Sequence, residues 1–315
     1  MSKHDGAAFS RRAILVGGSS VAIPLALRAD RLLAQEQSQA AGTKSLFEEL
    51  ESLSQRADKA GIALPTRKVQ PGEADTYSEM MPRLVDLIEK AAQNDEIAEA
   101  AAELLSRVNA SERGLQPDED SKAPPAFSAM EKDYREQYEA CQILVPRQGK
   151  VEENVAILLR NRPRYETVAA SLNIPWYFIG IIHGLEASFN FKGHLHNGDY
   201  PLTKRTVHVP ADRPPVWNPP TDWEASATDA LQMKSFDKET DWSLPQLLYR
   251  WERYNGFGYY WRKARSPYLW SFSNQYSKGK YVSDGRWDPN YVSQQCGAAP
   301  MLRTLVTTGV VTLPL

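Results

Sequence analysis

Apolar residues in the first third of the chain recur at helical spacing. Leu46, Leu50 and Leu53 share a face, as do Leu84, Leu87 and Ile88, and then Ile97, Ala101, Leu104 and Val108. Gly61 and Pro65 end the first of these helices, residues 71–76 read as a loop, and the polar, proline-bearing stretch 114–125 reads as a linker. Two or three helices are therefore expected over residues 40–113. Residues 127–141 and 150–170 are amphipathic in the same way, with Arg160, Arg162 and Arg164 expected on a solvated face. Residues 175–185 differ. Trp176, Tyr177, Phe178, Ile179, Ile181, Ile182 and Leu185 leave almost no polar position, the pattern of a helix buried on most sides. Pro175 suits its first turn, where a missing N–H costs nothing.

The period then changes. Asn197-Gly198 is a strong type I′ hairpin signal and residues 203–208 read as an extended polar strand, so a small sheet is expected over 189–206. Five prolines within 210–220 exclude regular structure there. Thr221 or Asp222 caps a helix running to about Met233. Ser243-Leu244-Pro245 opens another, with Leu247, Leu248 and Trp251 inward, and Asn255-Gly256 ends it. Asp288-Pro289 is expected to start the last helix, 289–304. The fold class is α+β, predominantly helical, with a small β-hairpin sheet preceded by a small α-helical domain.

Composition changes this picture mainly at the N-terminus. At 315 residues, 42% hydrophobic and 24% charged, the chain is ordinary globular material for one large or two modest domains. Ser10-Arg11-Arg12-Ala13-Ile14-Leu15 matches the twin-arginine signal pattern, and the apolar run after it is too short and glycine-rich for a good membrane span. Residues 1–34 are thus expected to be a signal peptide, 35–125 an acidic helical accessory region with its linker, and 126–315 the functional domain. The mature protein is expected to be periplasmic or secreted, without a stable membrane span. Residues 44–123 hold 17 acidic against 10 basic residues and 124–315 hold 22 basic against 19 acidic. Neither half carries a nucleic-acid footprint; the first could meet a protein partner, and the second mildly favours an anionic polymer. Export permits a disulfide between Cys141 and Cys296, but two buried thiols satisfy the sequence equally.

The candidate chemistry gathers around one carboxylate. Glu186 follows the apolar run at once, near the C-terminal end of the expected helix. Low polarity and the negative end of the helix dipole both favour the protonated form, which a general acid needs. The next carboxylate, Asp199, lies in the expected hairpin turn, as a base for water or as a plain turn residue. His183, His194, His196 and His208 crowd the same region. His183 lies three residues before Glu186 on the helix, and His194 and His196 would share one side of a strand, so a metal site with Asp199 is an alternative. No HExxH motif supports it, and no cofactor is expected.

Buried helix, glutamate and small sheet in that order resemble the lysozyme-like superfamily. Arg253–Gly258 reads RYNGFG, similar to the Ala-Tyr-Asn-Ala-Gly motif of lytic transglycosylases and goose-type lysozymes, and residues 266–281 read SPYLWSFSNQYSKGKY, similar to their late tyrosine motif. Ala187 stands between the glutamate and Ser188, and the Gly-Leu-Met-Gln motif is replaced by the histidine-rich stretch, which marks a divergent branch spanning roughly residues 127–303. The resemblance implies cleavage of peptidoglycan glycan strands at the MurNAc–GlcNAc β-1,4 bond, with Glu186 as general acid/base. A hydrolysing muramidase would add Asp199, and a non-catalytic glycan-binding protein is a third reading. By the same resemblance Ser188, Tyr254, Asn255, Tyr268 and Tyr276 line the cleft, with Tyr276 matching the family's late tyrosine, while Thr206 on the expected strand would orient a water or an N-acetyl group. All eight tryptophans lie from position 176 onward, either as sugar-stacking faces or as core.

Overall fold

The computed structural model describes residues 46–64, 76–112, 123–217, 222–282 and 285–314. The chain divides into two units, Met1–Lys44 and Ser45–Leu315, and every described residue belongs to the second. The twin-arginine stretch and most of the 114–125 linker lie outside the described residues.

The helical spacing of the first third is realised as α1 (residues 46–59), α2 (Thr76–Lys90) and α3 (Asp95–Glu112). Leu50, Leu53, Leu84, Leu87, Ala101, Leu104 and Val108 are all buried. These helices do not stand apart from the later part of the chain. Lys150 reaches Glu79 at 2.5 Å, Arg160 bonds Asp86 and Glu89, and the Ser78 hydroxyl donates to the Gln294 carbonyl. The acidic helices share one hydrophobic core with the rest of Ser45–Leu315.

Next come α4 (Glu131–Glu139), α5 (Gln148–Arg160), α6 (Arg162–Leu172) and α7 (Trp176–Ala187). Pro175 is the N-cap of α7, and every residue from Tyr177 to Ala187 is buried, as the apolar run requires. Two glycines allow this burial. A Cβ on Gly180 would sit 3.0 Å from the Tyr165 ring, and one on Gly184 only 2.5 Å from the Phe189 ring. Among the described residues no single helix is long and apolar enough to cross a membrane; α6 and α7 qualify only as a pair, and that pair is bent by 119°.

The arginines expected on a solvated face are partly enlisted in packing. Arg164 grips Glu224 with two hydrogen bonds and lies 3.9 Å over the Phe191 ring, while Arg162 stacks on Trp176. The later helices are α8 (Trp223–Met233), capped by Asp222 through Ala225 N–H, α9 (Leu244–Asn255), α10 (Gly258–Trp261) and α11 (Pro267–Trp270).

Two expectations fail here. No strand forms over 189–206; the two-stranded antiparallel sheet is β1 (Lys280–Val282) paired with β2 (Arg286–Asp288). The last helix, α12, is Ala298–Thr307 rather than 289–304. Asp288 instead ends β2 and accepts the Asn290 N–H, closing a turn. Cys141 and Cys296 are free, buried thiols.

Candidate active site

Glu186 is the penultimate residue of α7 and is only 8% exposed. The helix stops because Ser188 and Phe189 both adopt left-handed backbone (φ 52° and 61°), and the Phe189 N–H returns to the His183 carbonyl. Tyr268 of α11 donates its hydroxyl to Glu186 Oε1 at 2.8 Å. Burial first, and then the Glu186 charge, push the phenols of Tyr254 and Tyr268 well above their ordinary value. Helices α7, α9 and α11 thus deliver a carboxyl and two tyrosines to one place. Tyr254 is fixed from the other side, its hydroxyl donating to the Leu195 carbonyl at 2.9 Å.

The end of α7 is also held from elements far away in sequence. The Asn109 amide of α3 donates to the Glu186 carbonyl at 2.5 Å. Ser188 Oγ donates to Asn109 Oδ1 at 2.8 Å and lies 2.7 Å from the Tyr77 hydroxyl. Gln295 Nε2 donates to the Leu185 carbonyl at 2.7 Å. These donors satisfy carbonyls that the helix itself leaves without partners. Gly198 closes the other flank: a Cβ there would come within 2.1 Å of the Glu186 carbonyl oxygen.

Asn109, Tyr77 and Gln295 escaped sequence reasoning. A faint signal existed, because Asn109 and Glu112 continue the buried row of Leu105 at i+4 and i+7, where a polar residue needs a partner. The two tyrosines expected to line the cleft from residues 266–281 are placed differently. Tyr268 contacts Glu186, whereas the Tyr276 hydroxyl sits between the carbonyls of Gly279 and Tyr291. Ser188 and Thr206 are 0% and 2% exposed and spend their hydroxyls on the fold; Thr206 Oγ1 donates to the Pro210 carbonyl at 2.5 Å and accepts the Arg213 N–H at 2.9 Å. Asn255 is the half-buried last residue of α9.

Asp199 organises a loop. Its Oδ2 accepts the N–H groups of Val207 (2.8 Å) and His208 (2.9 Å), and its Oδ1 pairs with His208 Nδ1 at 2.6 Å. Burial alone would raise this carboxyl, but those donors outweigh it and hold Asp199 below its ordinary value. A carboxylate so occupied is a weak base. The Asn197-Gly198 pair does not make a two-residue hairpin either. Only Gly198 (φ 73°) is left-handed, and the turn closes between His194 and Asp199.

The histidines are separately committed. His183 lies against Phe189, Phe191 and Trp223 with Nδ1 3.0 Å from the Tyr165 hydroxyl, and burial lowers it to about 3. His194 bonds Ser226 and the Lys204 carbonyl, and His196 bonds Asp229. Neither stands on a strand. Among the described residues no three His, Cys, Asp or Glu side chains converge to hold a metal ion. Of the tryptophans, Trp223, Trp242, Trp251 and Trp270 are core, and Trp261 is 38% exposed. Searches with the whole chain find no matching family model, curated protein or solved structure.

Proposed function

We propose that this chain is a periplasmic glycosidase that cleaves the MurNAc–GlcNAc β-1,4 bond of peptidoglycan, acting as a lytic transglycosylase. The observation that carries the reading is the buried Glu186 carboxyl, gripped by Tyr268 and flanked by Tyr254 at the end of an apolar helix. Glycosidic cleavage needs an acid aimed at the leaving oxygen, and a carboxyl held by a tyrosine within a dry helix end is suitably preorganised. Glu186 gives its proton to the leaving O4 as the C1–O4 bond breaks. The resulting carboxylate then takes the proton of the muramyl C6 hydroxyl as O6 bonds to C1, forming an anhydro product without consuming water.

The state of Asp199 favours this one-carboxylate route over a hydrolysing muramidase. Its oxygens are occupied by loop donors, which leaves it poorly suited to activate water.

Glu186→Gln should abolish release of muropeptides from purified sacculi while the melting temperature stays nearly unchanged. Full activity in that variant would overturn the proposal. Wild-type binding to sacculi without release would point to a non-catalytic glycan-binding protein. Mass spectra separate the two glycosidase routes, since anhydro ends mark transglycosylation and reducing ends mark hydrolysis. EDTA should leave the activity intact.

A further inference from the structure

The loop over residues 204–216 is built unlike an ordinary surface loop. Three of its valines point outward, with Val207 74%, Val209 73% and Val216 78% exposed. Several of its backbone polar groups, in contrast, are paired within the fold. Asp199 takes the N–H groups of Val207 and His208, Asn197 Nδ2 donates to the His208 carbonyl at 3.1 Å, and Thr206 Oγ1 donates to the Pro210 carbonyl. Arg205 donates to the Pro215 carbonyl at 2.8 Å, and Arg213 anchors the far limb on Asp229 at 2.6 Å. Pro210, Pro214 and Pro215 have no N–H to satisfy. Lys204 and Arg205 are exposed at the near end, against one exposed acidic residue, Asp212.

We infer that this loop is a docking surface for an anionic lipid bilayer, with Val207, Val209 and Val216 entering the interface and Lys204 and Arg205 meeting the headgroups. Two features select this occupant. A backbone leaving water must carry its hydrogen bonds with it, and here side chains and prolines already provide for part of the loop. Aliphatic side chains beside cations suit a lipid interface, whereas sugar rings are held by aromatic faces and polar donors. The inference does not depend on the reaction at Glu186.

The experiment uses the full chain with Ala211→Cys, an exposed loop position, labelled with an environment-sensitive fluorophore; Cys141 and Cys296 are buried and stay unlabelled. Vesicles of phosphatidylglycerol and phosphatidylethanolamine should shift the emission to the blue, and phosphatidylcholine vesicles should do so far less. Replacing all three valines by serine should weaken that binding roughly tenfold or more, and Lys204→Glu should weaken it as well. Every substituted side chain is exposed, so an unchanged melting temperature certifies the fold. An emission spectrum indifferent to anionic vesicles overturns the inference, as does a shift that survives the valine substitutions. A shift produced only by sacculi, or only by raising the protein concentration, overturns it in favour of a wall polymer or a second copy of this chain.

Discussion

Glu252 shows how burial can constrain one side chain. It lies 5% exposed on α9 and accepts the Tyr134 hydroxyl at 2.5 Å. Burial pushes its carboxyl from 4.5 up to about 7, although the Tyr134 hydrogen bond and the Arg265 charge pull the other way. The folded state therefore holds a proton that the unfolded chain gives up more readily. Its contribution is present below pH 4.5 and is lost as pH rises towards 7. Glu252→Gln keeps an acceptor for Tyr134 and removes the ionisation. Chemical denaturation should find the variant more stable than wild type at pH 8, on the order of 3 kcal/mol, and little changed at pH 4. Equal effects at the two pH values would contradict this account.

At the scale of elements, the end of α7 depends on α3. Asn109→Ala removes the donor to the Glu186 carbonyl and the acceptor for Ser188 Oγ, so it should destabilise the protein by about 1–3 kcal/mol in urea titrations. Gly184→Ala should cost a similar amount for the opposite reason, since its added methyl would press on the Phe189 ring. Helices α7, α8 and α9 were legible from the chain because apolar period, Asp222 and the Pro245 and Gly256 boundaries are all local signals. The expected hairpin was not. Its Asn-Gly pair is genuine turn chemistry, but the polar groups nearby bond to Asp199, Asn197 and Thr206 instead of a facing strand. The last helix began late for a comparable reason. The N–H of Gln294 and the Ser293 hydroxyl are taken by Glu112, some 180 residues earlier in the chain, and only a folded partner makes that pairing visible. Glu186, Tyr254 and Tyr268 could all be named in advance, whereas which of Tyr268 and Tyr276 contacts Glu186 required the folded positions of both.

For the whole molecule, the buried histidines dictate behaviour in acid. Burial lowers His183 to about 3 and His196 to about 4, and lowers His194 as well. Below pH 6.5 the unfolded chain takes up protons that these folded imidazoles refuse. Stability should thus fall as pH drops from 6.5 towards 4, by about 1.4 kcal/mol per pH unit for each histidine fully engaged. Asp199 adds to the loss as it protonates below its ordinary 3.8. Melting curves across pH 4–7 check this, and a melting temperature that rises on acidification would refute it. The ties from Tyr77, Asn109 and Glu79 to Ser188, Glu186 and Lys150 carry a practical warning. A shortened version beginning near residue 123, tempting because it spares every proposed reaction group, would strip the scaffold from beneath Glu186. Inactivity of such a fragment would reveal a collapsed support rather than a missing reagent.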